Sequence, residues 1–386
     1  MFRIHLGRTR EKIFAVADIG SGSAALAVVA VPPKGPARVL VAERSFLPME
    51  ERTPEAIATA LGTHLIEVGK KVLDSHSKKG GSQPQSVYAV VRAPWTHSKT
   101  VEAKTSFPKS ARITAQMIGK LAQQALASDT EFEKANILEA GVMRVEVNGY
   151  PTNEPEDALG HSLSVAVIIS DCQPGFRASL THAFQELFGG RKISMRSGVH
   201  AILSALRSKA KTAHRDFLVV DMASEGTNFI VIRDGITTDH ATIPEGKNSL
   251  LKRIGGSGMP DNTLTMLRLL ARGECHDPAC EAVNAAIAKT EPELVRTFGE
   301  VIAKLVVRQR LPNRLILASH GDLVPWLTSF FSRIDFAQFT TTTQPFSVTP
   351  LKSVDFAHLA LPETDVQADT GILIAAALVN IEEGQA

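Results

Sequence analysis

Phe14-Ala-Val-Ala-Asp18-Ile-Gly20-Ser21-Gly22-Ser23-Ala-Ala-Leu-Ala-Val-Val-Ala-Val31 is the stretch on which the reading of this chain turns. Two apolar runs, Phe14 to Ala17 and Ala24 to Val31, flank one carboxylate and a Gly/Ser turn. Two antiparallel strands joined by a tight loop are written this way. Gly20 and Gly22 remove side chains where the backbone turns, so main-chain N–H groups can point at an anion and the loop is a candidate phosphate cradle. Asp18, at the end of a buried strand, is costly if charged and unpaired, so it calls for a bound cation or a hydrogen-bonding partner. The same Asp-x-Gly-x-Gly also fits an ordinary hairpin turn.

A second stretch repeats the design: Phe217-Leu-Val-Val-Asp221-Met-Ala223-Ser224-Glu225-Gly226-Thr227-Asn-Phe-Ile-Val-Ile-Arg-Asp-Gly235. Again an apolar strand ends in Asp, a small and polar turn follows, and a β-branched strand returns. Two such hairpins about two hundred residues apart are a long-period internal duplication, more specific than either alone.

Between them the chain alternates strands and helices. Ala37 to Arg44 reads as a third strand, and Pro54 to Leu73 as a helix with Ile57, Leu61, Leu65 and Val68 on one face. Ser75 to Pro84 is a polar connector. A strand at Val87–Val91, an extended segment around Lys99 to Ser106, a helix over Thr114 to Ala127 and strands near 137–148 and 163–170 form a small module that reads as an insertion. Helices at Arg177 to Phe188 and Gly198 to Leu206 flank a short strand at Ile193 to Arg196, and His200 on the second helix reads as a packed or solvated histidine. After the second hairpin, 248–255, 262–272 and 278–307 are helical. Leu315-Ile-Leu-Ala-Ser319-His320-Gly321-Asp-Leu-Val-Pro325-Trp-Leu327 then reads as a buried strand, a polar turn and a helix start, and the chain closes with an extended 336–349 region and a helix at Gly371 to Asn380.

With 386 residues the chain has room for two or three lobes. Its 42 Lys+Arg against 40 Asp+Glu gives no electrostatic case for nucleic acid. Cys172, Cys275 and Cys280 form no even-numbered disulfide framework, so reduced thiols and a cytoplasmic setting are expected; Cys275-His-Asp-Pro-Ala-Cys280 lacks the second pair that a zinc site needs. The basic start, Arg8-Thr-Arg10-Glu-Lys12, resembles a signal peptide only superficially, because Asp18 and the Gly/Ser turn interrupt the apolar run.

This order of parts resembles the actin-like ATPase superfamily, in which two duplicated α/β lobes hold a nucleotide between them. The resemblance spans nearly the whole chain and implies an actin-like (ribonuclease H-like) duplicated two-lobe α/β fold with an inserted small α+β subdomain. The corresponding domains are 1–83 with 166–207 and 353–386 as the first lobe, 84–165 as the insertion, 208–247 with 312–352 as the second lobe, and 248–311 as its helical subdomain. The site of the insertion resembles the FtsA/PilM branch of bacterial division and pilus proteins. The five residues between Asp221 and Thr227, and a tail that lacks the Lys/Arg face of a membrane-targeting helix, favour the PilM side.

The resemblance implies ATP and Mg²⁺. Asp18, Gly20, Ser21, Gly22 and Ser23 would form the first phosphate loop; Asp221, Ser224, Gly226 and Thr227 with Gly246 the second; Ser319, His320 and Gly321 the adenosine segment. Asp18 and Asp221 would hold the metal through water. Ala223, Glu225, Ser319 and His320 depart from the family pattern, so any ATPase activity is expected to be weak at most. The function implied is a cytoplasmic adaptor that docks the short tail of a PilN-like inner-membrane partner in pilus assembly, through a groove with Arg92 and Trp95, and with possible self-association. The alternatives are an FtsA-like division protein, a nucleotide-free pseudo-ATPase scaffold, and a small-molecule kinase or phosphohydrolase, for which no residue is marked as the base: Asp171 and Glu186 sit in the intervening region, and nothing sets them as poised.

Overall fold

A computed structural model describes residues 11–50, 52–152, 154–209, 216–256, 260–274, 276, 278–307, 309–319, 321–333 and 336–384. In chain order, strands β1 (Lys12–Ile19), β2 (Ser23–Val31) and β3 (Ala37–Phe46) precede helix α1 (Pro54–Lys78) and strands β4 (Ser86–Val91) and β5 (Thr96–Arg112). Helix α2 (Ala115–Ala127), strands β6 (Ile137–Val147), β7 (Tyr150–Thr152) and β8 (Leu159–Cys172), helix α3 (Pro174–Phe188), strand β9 (Ile193–Ser197) and helix α4 (Gly198–Lys209) follow. The second half runs β10 (Phe217–Met222), β11 (Thr227–Arg233), β12 (Ile236–Ile243), α5 (Lys247–Gly255), α6 (Pro260–Arg272) and α7 (Pro278–Leu305). It closes with β13 (Arg314–Ala318), α8 (Val324–Arg333), β14 (Ser347–Pro350), β15 (Ala360–Pro362) and α9 (Thr370–Glu383).

These elements form two compact units, one of residues 1–92, 175–209 and 352–386, the other of 93–174 and 210–351. The first unit holds a six-stranded sheet in the order β15-β3-β2-β1-β4-β9. Every residue of β1 from Phe14 on and of β2 from Ala24 on is buried, as a strand covered on both faces requires. Helix α1 lies against α3 at two glycines one heptad apart: a Cβ on Gly62 would meet the Ser179 side chain at 2.5 Å, and one on Gly69 would meet Leu187 at 2.4 Å. Helix α9 is apolar around its whole circumference, with Ile372 to Val379 all buried, so it is a core helix of this unit.

The second unit carries a five-stranded sheet, β12-β11-β10-β13-β14, and a four-stranded one, β5-β8-β6-β7. A chain of buried rings, Phe229, Phe298, Phe330, Phe331, Phe336 and Phe346, packs with successive centroids 5.2–6.5 Å apart. The smaller sheet has its own core, where α2 lays Leu121, Ala122 and Ala125 against Val145, Leu163, Val165 and Val167.

The duplication is visible strand by strand. In the first sheet β2 is antiparallel to β1 and β3, while β4 is parallel to β1 and to β9. In the second, β11 is antiparallel to β10 and β12, while β13 is parallel to β10 and to β14. Strand β12, absent from the sequence reading, is thus the repeat of β3; its signal was the Asp234-Gly235 turn before it, both residues having positive φ (48° and 75°). Two strands sit differently from the expectation. Val87–Val91 pairs with β1 in the first sheet rather than opening the insertion, and β8 belongs whole to the four-stranded sheet through Cys172. The insertion's strands therefore lie between 96 and 172.

Candidate functional site

In the first unit, β1 and β2 form the expected hairpin, with Asp18 opposite Ala25 and the turn closed by Gly20 N–H to Ser23 O at 3.0 Å. Asp18 is 3% exposed, and both of its carboxylate oxygens are taken by arginines. Arg92, following β4, donates Nε–H to Oδ1 at 2.6 Å; Arg44, from β3, donates Nη2–H to Oδ2 at 2.6 Å. Arg44 also donates to Ser23 Oγ at 2.8 Å and pairs with Asp369, whose own carboxylate caps α9 by accepting from Ile372 N–H at 3.0 Å. A Cβ on Gly371 would lie 2.2 Å from Asp18 Oδ2, so the first turn of α9 closes over the pair. Burial pushes the Asp18 pKa up, but the Arg92 and Arg44 guanidiniums outweigh it and hold the carboxylate below its usual range. Arg44 was not singled out from the sequence; one arginine on a half-buried strand carries no signal until β3 is placed beside β2.

In the second unit, Asp221 is buried opposite Asn228, and the turn closes by Ala223 N–H to Gly226 O at 2.9 Å. The N-terminus of α5 is turned onto this loop: Lys247 N–H bonds Ala223 O and Asn248 N–H bonds Ser224 O, each at 2.9 Å. Two of the donors that a helix start usually leaves unsatisfied are thereby used internally. Gly246 is needed for this, since a Cβ there would lie 2.5 Å from Gly226 N and from Ser224 O. The buried Thr227 hydroxyl donates to Glu245 O at 2.5 Å, and Glu225 accepts from the Asn248 amide. By the shared topology Thr242 stands where Arg44 stands in the first repeat, and it donates to Asn228 Oδ1 at 2.7 Å. A threonine therefore holds, in the second repeat, the strand position that Arg44 holds in the first.

The parallel pairing of β10 with β13 sets Asp221 beside Ala318, which brings the second loop and Ser319 to the same carboxyl end of these strands. Such carboxyl ends of parallel strands are where open α/β sheets bind ligands. Ser319 Oγ is buried there with no hydrogen-bond partner among the described residues, and Gly321 faces open space. His320 lies outside the described residues.

Other expectations are redistributed. Trp95 is buried, 3% exposed, and Arg92 is committed to Asp18, so neither is an exposed docking contact. Asp171 accepts from the His97 backbone N–H at 3.1 Å, and the exposed Glu186 pairs with Lys70 at 2.7 Å; neither is set as a base. Cys172 is a buried free thiol, but Cys280 is disulfide-bonded, against the expectation of reduced thiols; Cys275 lies outside the described residues. Among the described residues no cluster of three His, Cys, Asp or Glu could hold a metal, and no helix is long and apolar enough to cross a membrane.

The residues present do not fit a Mg²⁺ ion held by Asp18, because its two oxygens already carry guanidinium partners and a metal there would have to displace one of them. The fit to a phosphate is also limited, since the Gly20, Ala223, Lys247 and Asn248 N–H groups are all bonded within their own loops. What the second unit leaves for a ligand is space at Gly321 and the unpartnered Ser319 hydroxyl.

The same five-strand order, repeated in the six-stranded and the five-stranded sheet with an Asp-tipped hairpin in each, is the actin-like ATPase fold. Among solved structures the chain is similar to PilM in a "PilM-PilN type IV pilus biogenesis complex", with a TM-score of 0.54 and 15% identity over 98% of both chains. Lower similarities include the ethanolamine utilization protein EutJ from Carboxydothermus hydrogenoformans, with a TM-score of 0.44 and 12% identity over 96% of this chain and 89% of that one. Component A of (R)-2-hydroxyglutaryl-CoA dehydratase from Acidaminococcus fermentans has a TM-score of 0.41 and 7% identity, over 97% and 100%. No protein-family model matches the sequence, and no curated protein matches it.

Proposed function

We propose that this protein is an actin-like adaptor whose first loop is held by an internal ion network instead of a metal nucleotide, and which serves assembly by docking a partner's segment. The observation that carries the first part is the Arg44–Asp18–Arg92 clamp: the carboxylate that the resemblance assigns to Mg²⁺ is neutralised within its own unit. The adaptor role is supported by likeness to PilM, a protein seen in complex with PilN, and by the internal bonding of the Gly20, Ala223, Lys247 and Asn248 N–H groups. A PilN-like tail is the proposed partner, with recruitment to the inner face of the membrane through that partner alone.

The test is thermal unfolding with and without Mg-ATP, followed by titration of a PilN-like N-terminal peptide. A ligand at 100 times its dissociation constant adds about 2.7 kcal/mol, which is readily seen. The scaffold reading expects no shift at millimolar Mg-ATP and saturable binding of the peptide. An ATP-dependent adaptor is the second reading, favoured by the open space at Gly20 and Gly321 and by the unpartnered Ser319 hydroxyl. It expects the nucleotide shift, with Mg²⁺ placed by Asp221.

A further inference from the structure

Three helices of the second unit, α5, α6 and α7, border a trough of about 750 Å³. Its lining changes character along α7. Ala279, Ala282, Val283 and Ala286 come first, all on one side of the helix by their spacing, and Ile254 of α5 and Met266 of α6 add apolar surface to theirs. Lys289, Thr290 and Glu293 follow within the next two turns, and Arg253 of α5 joins them by pairing with Glu293. The trough therefore has an apolar part and a polar end. The three alanines leave open a space that larger side chains at those positions would fill.

Charge and length say what this space fits. Arg253 is held by Glu293 and by the buried Glu245, 2.8 Å from its Nη2, so these groups are engaged with one another. Lys289 also lines the trough, is exposed, and forms no hydrogen bond or ion pair among the described residues. With Arg253 and Lys289 set against Glu293, the lining side chains carry a net positive charge, and Lys289 is the cation left available. Ten residues separate Ala279 from Lys289, which is about 15 Å along a helix and the reach of an extended chain of about twelve carbons.

We infer that this trough binds one long-chain aliphatic carboxylate, with the carboxylate on the Lys289 ammonium and the chain laid along Ala286, Val283, Ala282 and Ala279. Apolar contact removes the chain from water and supplies the affinity, while the ammonium selects the sign of the head group. An aliphatic cation of the same length meets Lys289 with like charge and is refused. The proposal is independent of the adaptor reading above, because its probe contains neither a nucleotide nor a PilN sequence.

The experiment titrates dodecanoate into the full chain by calorimetry, with amide exchange to locate the contact. Saturable binding below about 1 mM is expected, together with slowed exchange in 253–256 and 279–293. Octanoate binds at least about tenfold more weakly, because its shorter chain buries less apolar surface. Lys289→Glu weakens dodecanoate at least about fivefold, and Ala282→Trp, which sets an indole in the trough, at least about tenfold. Both positions are exposed, so neither variant disturbs the fold. Equal binding of dodecyltrimethylammonium, equal binding of octanoate, undiminished binding by either variant, protection confined to other segments, or no saturation up to about 1 mM would each overturn the inference.

Discussion

Replacing Asp18 by Asn tests the central feature of the first unit. The substitution keeps the shape and removes the charge that Arg44 and Arg92, 14% and 13% exposed, share, while Arg44 keeps its pair with Asp369. Breaking a buried ion pair from one side costs up to about 3–5 kcal/mol, the full amount applying where the remaining charge keeps no other carboxylate. That is a large part of the roughly 5–15 kcal/mol by which domains are stable. With a urea slope of about 2 kcal/mol/M, the midpoint for this unit falls by up to about 1.5–2.5 M. Both tryptophans, Trp95 and Trp326, belong to the other unit, so the assay is circular dichroism with amide exchange over β1 and β4. Removing all three charges together, with Asp18→Leu, Arg44→Met and Arg92→Met, restores much of the loss. The pH dependence follows the same sign. A carboxylate held below its ordinary value of 3.8 contributes fully above that value, and its contribution is lost as the pH falls through the lower folded value. If Asp18→Asn leaves the ligand-free protein within about 0.5 kcal/mol of the parent and instead abolishes a Mg-ATP shift, the carboxylate is a metal ligand and the clamp reasoning is wrong.

Two glycine substitutions separate architecture from ligand space. Gly246→Ala forces a Cβ to 2.5 Å from two backbone atoms and is expected to lower stability by about 1–3 kcal/mol in urea unfolding. Gly20→Ala enters open space, so its ligand-free stability stays within about 0.5 kcal/mol of the parent, and any Mg-ATP shift that it removes would identify the first loop as a phosphate cradle. His240, with a pKa pushed down to about 4 by burial and by His97, is neutral in the folded chain. The unfolded chain takes up that proton first, so stability falls between pH 6.5 and 4 by up to about 3 kcal/mol; His240→Gln flattens this part of the profile. Arg144→Ala removes the brace to the Asp234 carbonyl along with pairs to Glu102 and Glu146, and faster amide exchange in β12 is its expected signature.

The sequence by itself determined the duplicated scaffold. Apolar runs at 14–17 with 24–31, and at 217–220 with 229–232, leave each hairpin one way to bury both faces, and the small, polar turns between them fix where the chain reverses. Asp18 was recognisable as a carboxylate needing a counter-charge, because an apolar strand does not carry one without cause. Which counter-charge it has was decided only in three dimensions. Arg44 and Arg92 stand 26 and 74 residues away, and they reach Asp18 because β3 and β4 come close to it in the sheet, a matter of strand order that no local pattern encodes. The same holds for β12. Its run of Thr, Asp and His has little apolar periodicity, since one side of it is a sheet edge on a polar cavity and not a core. Local pattern records what each strand buries; strand order and edge position decide which charged groups meet, and the chemistry of the site depends on those meetings.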